Sequence, residues 1–397
     1  MAVAQGYGKT VTSGSVFAYD VADTRNSYIG EPIDNIWSDS YGQSVNNVGS
    51  WSAPMQSTAG LTQSVRSETW NGNRIWQLER TAGNAGTYDS WRRCVDQPLA
   101  GSYPSTRFVT MKICTPFDDP VSELALHTGG GNSSHNSSTF TKIPINEVPK
   151  DAPYRDKWYE FHISANWSST TVGHCVGLAF ISGNASTFLA TEPMYYASTH
   201  KIPFTPTDRS STQGLLPLVG NSTIDLSNVS FDSNAQMTFD GTDDILNTGL
   251  FSGRNPSTDP FTVEAILKSN TTSGAKMWID ATSNGSNQRF YSSLDDGGNN
   301  PMGIQGTGWT DTNPSTTNYI HQIIVMDGST ARSYRNGSAT YTRSYTSYTL
   351  IGPLKIGGRS SYNWNGEIPV VKIYNRALSA AEVKQNYLHY KTRFNLS

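Results

Sequence analysis

Charge is scarce in this chain of 397 residues. Asp, Glu, Lys and Arg make up 15% of it, against about 25% in an average soluble protein. Basic residues number 29 and acidic residues 32, a net charge of −3. That balance gives no general attraction to phosphate, and no Lys/Arg cluster marks a nucleic-acid face, so nucleic acid is excluded as a partner. Long apolar runs are missing as well. No stretch reaches the roughly 18 residues that a spanning helix needs, so no membrane insertion is expected. Residues 1–30 lack a basic region followed by an apolar one, and no classical secretion signal is expected. Cysteine is rare. Cys94, Cys114 and Cys175 are odd in number and show no CxxC spacing, so the fold does not depend on disulfides. One bridge, for example Cys94–Cys114, competes with three buried free thiols.

Motifs for common chemistries are absent too. There is no G-x-S-x-G elbow, no H-E-x-x-H pair and no P-loop. The seven histidines show no i,i+4 pairing. His127 and His135 flank Gly129–Gly131 and read as a surface loop before they read as metal ligands. Glu264 and Glu367 each stand without a second carboxylate at same-face spacing. Asp118-Asp119 and Asp295-Asp296 lie in Gly/Pro-flanked loops. These patterns point away from an enzyme.

What is present is β-rich. Aromatic residues are 11% of the chain. Short runs of Val, Ile, Phe, Tyr and Thr alternate with Gly/Asn/Ser/Asp clusters every 8–15 residues, as in Arg107–Cys114, Trp158–Ala165, Val176–Ile181, Phe261–Leu267 and Ile320–Met326. This predicts an all-β fold of tandem antiparallel sandwiches, without the helices that βαβ units would insert. One helix is expected near the C-terminus. Ser379 and Glu382 form a capping box, and Val383, Tyr387 and Tyr390 follow at helical spacing. Three regions are expected: an N-terminal attachment segment at 1–50 with one strand at Val16–Val21, which serves attachment or completes a sheet of one sandwich, a first sandwich at 51–208, and a second at 214–397. The polar, proline-containing Lys201–Gln213 stretch reads as the linker.

The second sandwich carries a recognisable series of segments. Met237-Thr-Phe-Asp-Gly-Thr-Asp-Asp244 comes first, then the strands at Phe261–Lys268 and Tyr319–Asp327. The hairpin Tyr334-Arg-Asn-Gly337 follows, then Leu354-Lys-Ile-Gly-Gly-Arg359. The series ends in the strand from Trp364 through Asn375-Arg-Ala-Leu-Ser379. It resembles the laminin-G-like, concanavalin A-like sandwich found in many bacteriophage structural proteins. Phe17-Ala-Tyr-Asp20 and Asn26-Ser-Tyr-Ile-Gly-Glu-Pro32 are similar to a lead-in of marine phage tail and virion proteins. There it precedes a jelly roll similar to a carbohydrate-binding module. The resemblance implies a non-enzymatic structural component exposed on the virion, in the tail/fibre apparatus or decorating the head. It implies homo-oligomerisation, contact with other virion proteins and binding of a host surface glycan. A secreted bacterial adhesin and a polysaccharide-degrading enzyme are the alternatives. A retaining concanavalin-type glycosidase resembles E-x-D-x-x-E on a strand, which this chain lacks.

Two candidate sites follow. Sugar rings stack on exposed aromatics, and Trp91, Trp309, Tyr362 and Trp364 stand in polar turn contexts. Loop aromatics folded back on the sandwich, or buried against a neighbouring subunit, are the competing reading. Asp240, Asp243 and Asp244 cluster around Gly241. Carboxylates of this kind suit calcium, and the same segment also reads as a strand-end turn in which Asp and Gly serve geometry alone. The Tyr341–Tyr348 stretch predicts a strand with one aromatic face or an exposed sheet edge.

Overall fold

The computed structural model describes residues 9–35, 61–80, 89–95, 106–114, 124–130, 140–142, 158–166, 174–180, 186–272, 274, 276–281, 290–294, 302–304, 307–309, 316–359 and 362–397. Among them are four antiparallel sheets and one α-helix. The chain divides into two compact units. One joins residues up to Pro32 with Ser210–Ser397, and the other is Ile33–Arg209.

This division places the start of the expected 1–50 segment in the C-terminal sandwich, where it completes a sheet, the second of its two expected roles, instead of forming a separate region. The Ser15–Asp20 strand pairs antiparallel with Asn365–Tyr374, Phe17 opposite Ile373 and Asp20 opposite Val370. The physical reason is burial. Phe17 and Tyr19 are at most 1% exposed in the core of the C-terminal sandwich, and each such side chain stabilises by about 1.5–3 kcal/mol. The Tyr19 hydroxyl also donates to the Ile368 carbonyl at 3.0 Å. The chain leaves this sandwich after Pro32 and returns at Ser210, so Ile33–Arg209 is an insertion. At its root Ile33 and Arg209 exchange two backbone hydrogen bonds of 2.8 Å. Ile29 donates to the Gly214 carbonyl at 2.9 Å where the chain re-enters. A side chain at Gly214 would meet the Gly30 carbonyl at 2.4 Å, so this close approach needs glycine.

The C-terminal sandwich has an eight-stranded and a six-stranded sheet. In the larger sheet the order is Ser230–Phe231, Met237–Asp240, Asn365–Tyr374, Phe261–Ser269, Ile320–Met326, Thr330–Arg335 and Ser338–Ser344, with Ser15–Asp20 also on Asn365–Tyr374. Period-two alternation sets its faces. Phe261, Val263, Ala265 and Leu267 join the main core with Phe239, Trp278, Phe290 and Trp364. Ile266 points the other way and packs with Tyr387 and Tyr390 of the C-terminal helix. That helix runs Ala380–Lys391, with the predicted capping box between Ser379 and Glu382. The hairpin after Arg335 turns on Asn336 (φ 48) and Gly337 (φ 75), the two left-handed residues of a type I′ turn. Ser338–Ser344 ends the sheet, whereas Tyr345 and Tyr348 are buried in the core.

The inserted unit has a five-stranded and a four-stranded sheet. Its buried side chains include Trp76, Ile113, Phe188 and Tyr195, and Trp158 packs on Trp70 with ring centroids 5.8 Å apart. Cys114 is a free buried thiol, which excludes the Cys94–Cys114 bridge. Burial pushes that thiol up to about 12. Cys94 stands opposite Cys175 in the ladder of the smaller sheet.

Candidate functional site

The outer face of the eight-stranded sheet is only partly covered by the C-terminal helix and the tail beyond it. Ser15–Asp20 and Met237–Asp240 share one edge of the long Asn365–Tyr374 strand, the first over Val370–Tyr374 and the second over Asn365–Gly366. Pro369 lies between them and lacks a ladder donor; its carbonyl accepts from Val21 at 2.9 Å. Where the two short strands part, a cavity of about 520 Å³ opens. Tyr319, Phe394, Glu367, Arg393, Asn270 and Gln236 are among its lining residues.

Glu367 and Arg393 are each held by partners from a distant part of the chain. Glu367 is the register partner of Lys268, whose Nζ donates to Glu367 Oε1 at 2.7 Å. The Tyr319 hydroxyl donates to Glu367 Oε2. Burial, with the Glu367 carboxylate beside it, pushes the Tyr319 phenol above its ordinary range. Lys268 Nζ sits 5.3 Å from the centre of the Tyr319 ring. Phe394 packs against Tyr319 at 5.2 Å. The Arg393 guanidinium lies 4.6 Å over the Phe394 ring and makes two bonds of 2.5 Å to Asp20. Asn270 and Gln236 are exposed at the rim. Two aromatic rings beside a carboxylate and two carboxamides can hold a ligand with an apolar face and hydroxyls at its edge.

Beneath the helix, the same face buries a charged group. Glu264 and His321 are both fully buried, with Nε2 2.8 Å from Glu264 Oε1. Tyr374 donates to Glu264 Oε2 at 2.9 Å and Asn386 at 2.7 Å. Burial pulls the carboxyl upward, but His321, Lys372 and Tyr374 outweigh it and hold it below the usual carboxylate range. Asn386 also accepts from the Val11 amide at 2.8 Å. Both carboxylates that read as isolated in the sequence therefore have partners, Glu264 in this network and Glu367 at the cavity.

The acidic cluster lies elsewhere. One oxygen each from Asp240, Asp243 and Asp244 falls within 4.8 Å of the others. Asp244 is buried and accepts from the Ser230 amide at 2.9 Å, the Ser230 hydroxyl at 3.2 Å and the Asp240 amide. Burial, and the Asp240 charge, raise its carboxyl to about 6. Three converging carboxylates, one of them short of compensating charge, fit a hard cation. The turn is fastened to the opposite loop, since Asn363 donates to the Thr242 carbonyl and Asn365 to the Asp240 carbonyl.

Of the aromatics read as sugar contacts, Tyr362 is 43% exposed, on the loop that anchors the acidic turn. Trp364 is a correction. It is fully buried in the main core, its amide tied to the Gly357 carbonyl at 2.7 Å just before the Asn365–Tyr374 strand, and it cannot meet a sugar. Trp91 and Trp309 stand on the Asp89–Val95 and Thr307–Trp309 strands, but their side chains lie outside the described residues, as does the loop between His127 and His135. Tyr319, Phe394, Arg393 and Lys268 were not legible as a group. Asp20 and Arg393 are 373 positions apart, and they meet because Ser15–Asp20 pairs with Asn365–Tyr374 and the tail beyond the C-terminal helix returns to that strand's end.

Among solved structures, three show low similarity to this chain. The IT-sialidase CBM40 of Ruminococcus gnavus, bound to alpha2,3 sialyllactose, is 15% identical, with 32% of this chain and 81% of that one covered and a TM-score of 0.28. The botulinum neurotoxin serotype D binding domain is 14% identical, covering 45% and 49%, with a TM-score of 0.33. Domain 4 of a GH43 extracellular arabinanase from Geobacillus stearothermophilus, in complex with arabinotriose, is 16% identical, covering 43% and 84%, with a TM-score of 0.30. No curated protein sequence matches the chain. Residues 240–384 match the profile of the concanavalin A-like lectin/glucanases superfamily, the laminin-G-like sandwich that the segments from Met237 to Ser379 resemble.

Proposed function

We propose that this chain is a non-enzymatic glycan-binding protein and that the outer-face cavity is its saccharide site. The observation that carries this reading is the pairing of Tyr319 and Phe394 with Glu367, Asn270 and Gln236 around a cavity of about 520 Å³. A pyranose would lay its apolar face on a ring while its hydroxyls donate to Glu367 and exchange hydrogen bonds with the carboxamides. The match of residues 240–384 to a superfamily of lectins and glucanases supports it. On the enzyme side, Glu264 is sealed under the helix and Glu367 is neutralised by Lys268. The test is binding of the full chain to immobilised glycans, compared with Asn270→Ala and Gln236→Ala. Both are exposed rim residues. A loss of at least tenfold in each is expected; unchanged binding would place the site elsewhere.

We propose display on a bacteriophage particle as the setting, in the tail/fibre apparatus or on the head, among other virion proteins and as a homo-oligomer. The resemblance of Met237–Ser379 and of the N-terminal lead-in supports it. Many linked copies would raise a weak single-site affinity through effective concentration. Antibody labelling of intact particles tests it, with label on tail or head expected and unlabelled particles contradicting it. We also propose calcium at Asp240, Asp243 and Asp244, where it would add charge to a turn already tied to Ser230 and Asn363.

A further inference from the structure

Resting on the reading of the outer-face cavity as a saccharide site, we infer that it takes neutral sugars and rejects those bearing a carboxylate or sulfate. The argument is a charge inventory. Among the lining residues, Arg393 is the one cation, and Asp232 and Glu367 are the carboxylates. Arg393 is already charge-paired with Asp20 through both terminal nitrogens, at 2.5 Å each. The nearest further cation, Lys268, is bonded to Glu367 at 2.7 Å. The lining itself carries two carboxylates, Asp232 and Glu367, against one cation, Arg393. A sugar carboxylate would meet no unpaired cation here. It would have to displace an existing acid from its partner or enter beside Asp232, and an anion without a compensating charge is disfavoured.

Hydroxyls face no such barrier. Asp232 accepts backbone bonds from Asn234 at 2.8 Å and Gln236 at 2.9 Å, which fixes the turn presenting Gln236 at the rim. Gln236 and Asn270 offer both donors and acceptors. Glu367, held by Tyr319 and Lys268, keeps acceptor capacity for a donating hydroxyl. The rings of Tyr319 and Phe394 supply the apolar wall. Neutral polar edges around an aromatic wall match an uncharged hexose or pentose unit.

The test is an array of matched pairs, each a neutral glycan beside its anionic counterpart: lactose with 3′-sialyllactose, galactan with polygalacturonate, mannan with alginate. The full-length chain is applied together with Asn270→Ala and Glu367→Gln. Binding at least tenfold stronger on neutral members, and lost in Asn270→Ala, is expected. Glu367→Gln frees Lys268, so its discrimination against the anionic members should narrow several-fold while its melting temperature stays near that of the parent. Equal or stronger binding of the parent to anionic members overturns the selectivity and leaves the glycan site standing. No binding to any pair, or binding indifferent to Asn270→Ala, overturns the saccharide site and the selectivity with it.

Discussion

Asp20 and Arg393 close the two ends of the chain on one another. Two bonds of 2.5 Å join the last residue of the first strand to the tail beyond the C-terminal helix. The pair forms one wall of the outer-face cavity, because Val21 and Ala22 follow Asp20 and Phe394 follows Arg393. Arg393 is one-third exposed, and a pair this close to solvent stabilises by up to about 1 kcal/mol. Arg393→Ala is therefore expected to cost little in urea unfolding but to weaken glycan binding several-fold. A double-mutant cycle with Asp20→Ala measures the coupling.

Glu264 should give the sandwich an acid-sensitive step. Its carboxyl titrates lower in the folded chain than in the unfolded one, where about 4.3 is usual. Its contribution is thus present above the unfolded value and is lost as pH falls through the folded one. Glu264→Gln removes the charged acceptor of Tyr374 and Asn386 and should cost about 1.5–3 kcal/mol at pH 7. The stability difference between pH 7 and pH 3 should also be smaller in the variant, as read by urea midpoints.

The acidic turn predicts a calcium response. Asp243 is exposed and can be changed without touching the bonds from Ser230 to Asp244. Millimolar calcium should raise the melting temperature of the parent chain, with reversal by chelator, and should have no effect on Asp243→Asn. An equal shift in both proteins would remove the cluster as the site.

Tyr362 and Trp364 are two positions apart and should behave oppositely. Trp364→Ala empties a fully buried position and should cost about 3–5 kcal/mol. Tyr362→Ala should stay within about 0.5 kcal/mol. Denaturant unfolding of the two variants compares them directly.

Removing the helix cap tests how the outer face is held. The Ser379 hydroxyl accepts from the Glu382 amide at 3.3 Å, and Glu382 accepts from the Ser379 amide at 2.9 Å. Ser379→Ala should cost about 1 kcal/mol, read by thermal unfolding.

Local pattern carried much of the fold. The apolar strand run at Phe261–Leu267, the Asn336-Gly337 turn and the Ser379–Glu382 box each depend on residues within a few positions, and all three stand as read. The pairing of Ser15–Asp20 with Asn365–Tyr374 depends on contacts more than 350 residues apart, so the N-terminal strand read as a separate segment. Exposure was harder still. Trp364 sits among polar neighbours, yet its backbone bond to Gly357, 7 positions away, holds it in the core. The cavity was hidden for the same reason as the N-terminal pairing, since Glu367 and Lys268 meet through sheet register, and Tyr319 and Arg393 reach them from outside the strands, not through any motif.

The most direct measurement is a crystal structure of the full-length chain with the neutral oligosaccharide that binds best on the array. The sugar is expected on the outer face, one ring against Tyr319 or Phe394 and a hydroxyl on Glu367. A sugar seated at Tyr362 and the acidic turn, or within residues 33–209, with the cavity beside Arg393 empty, would contradict it.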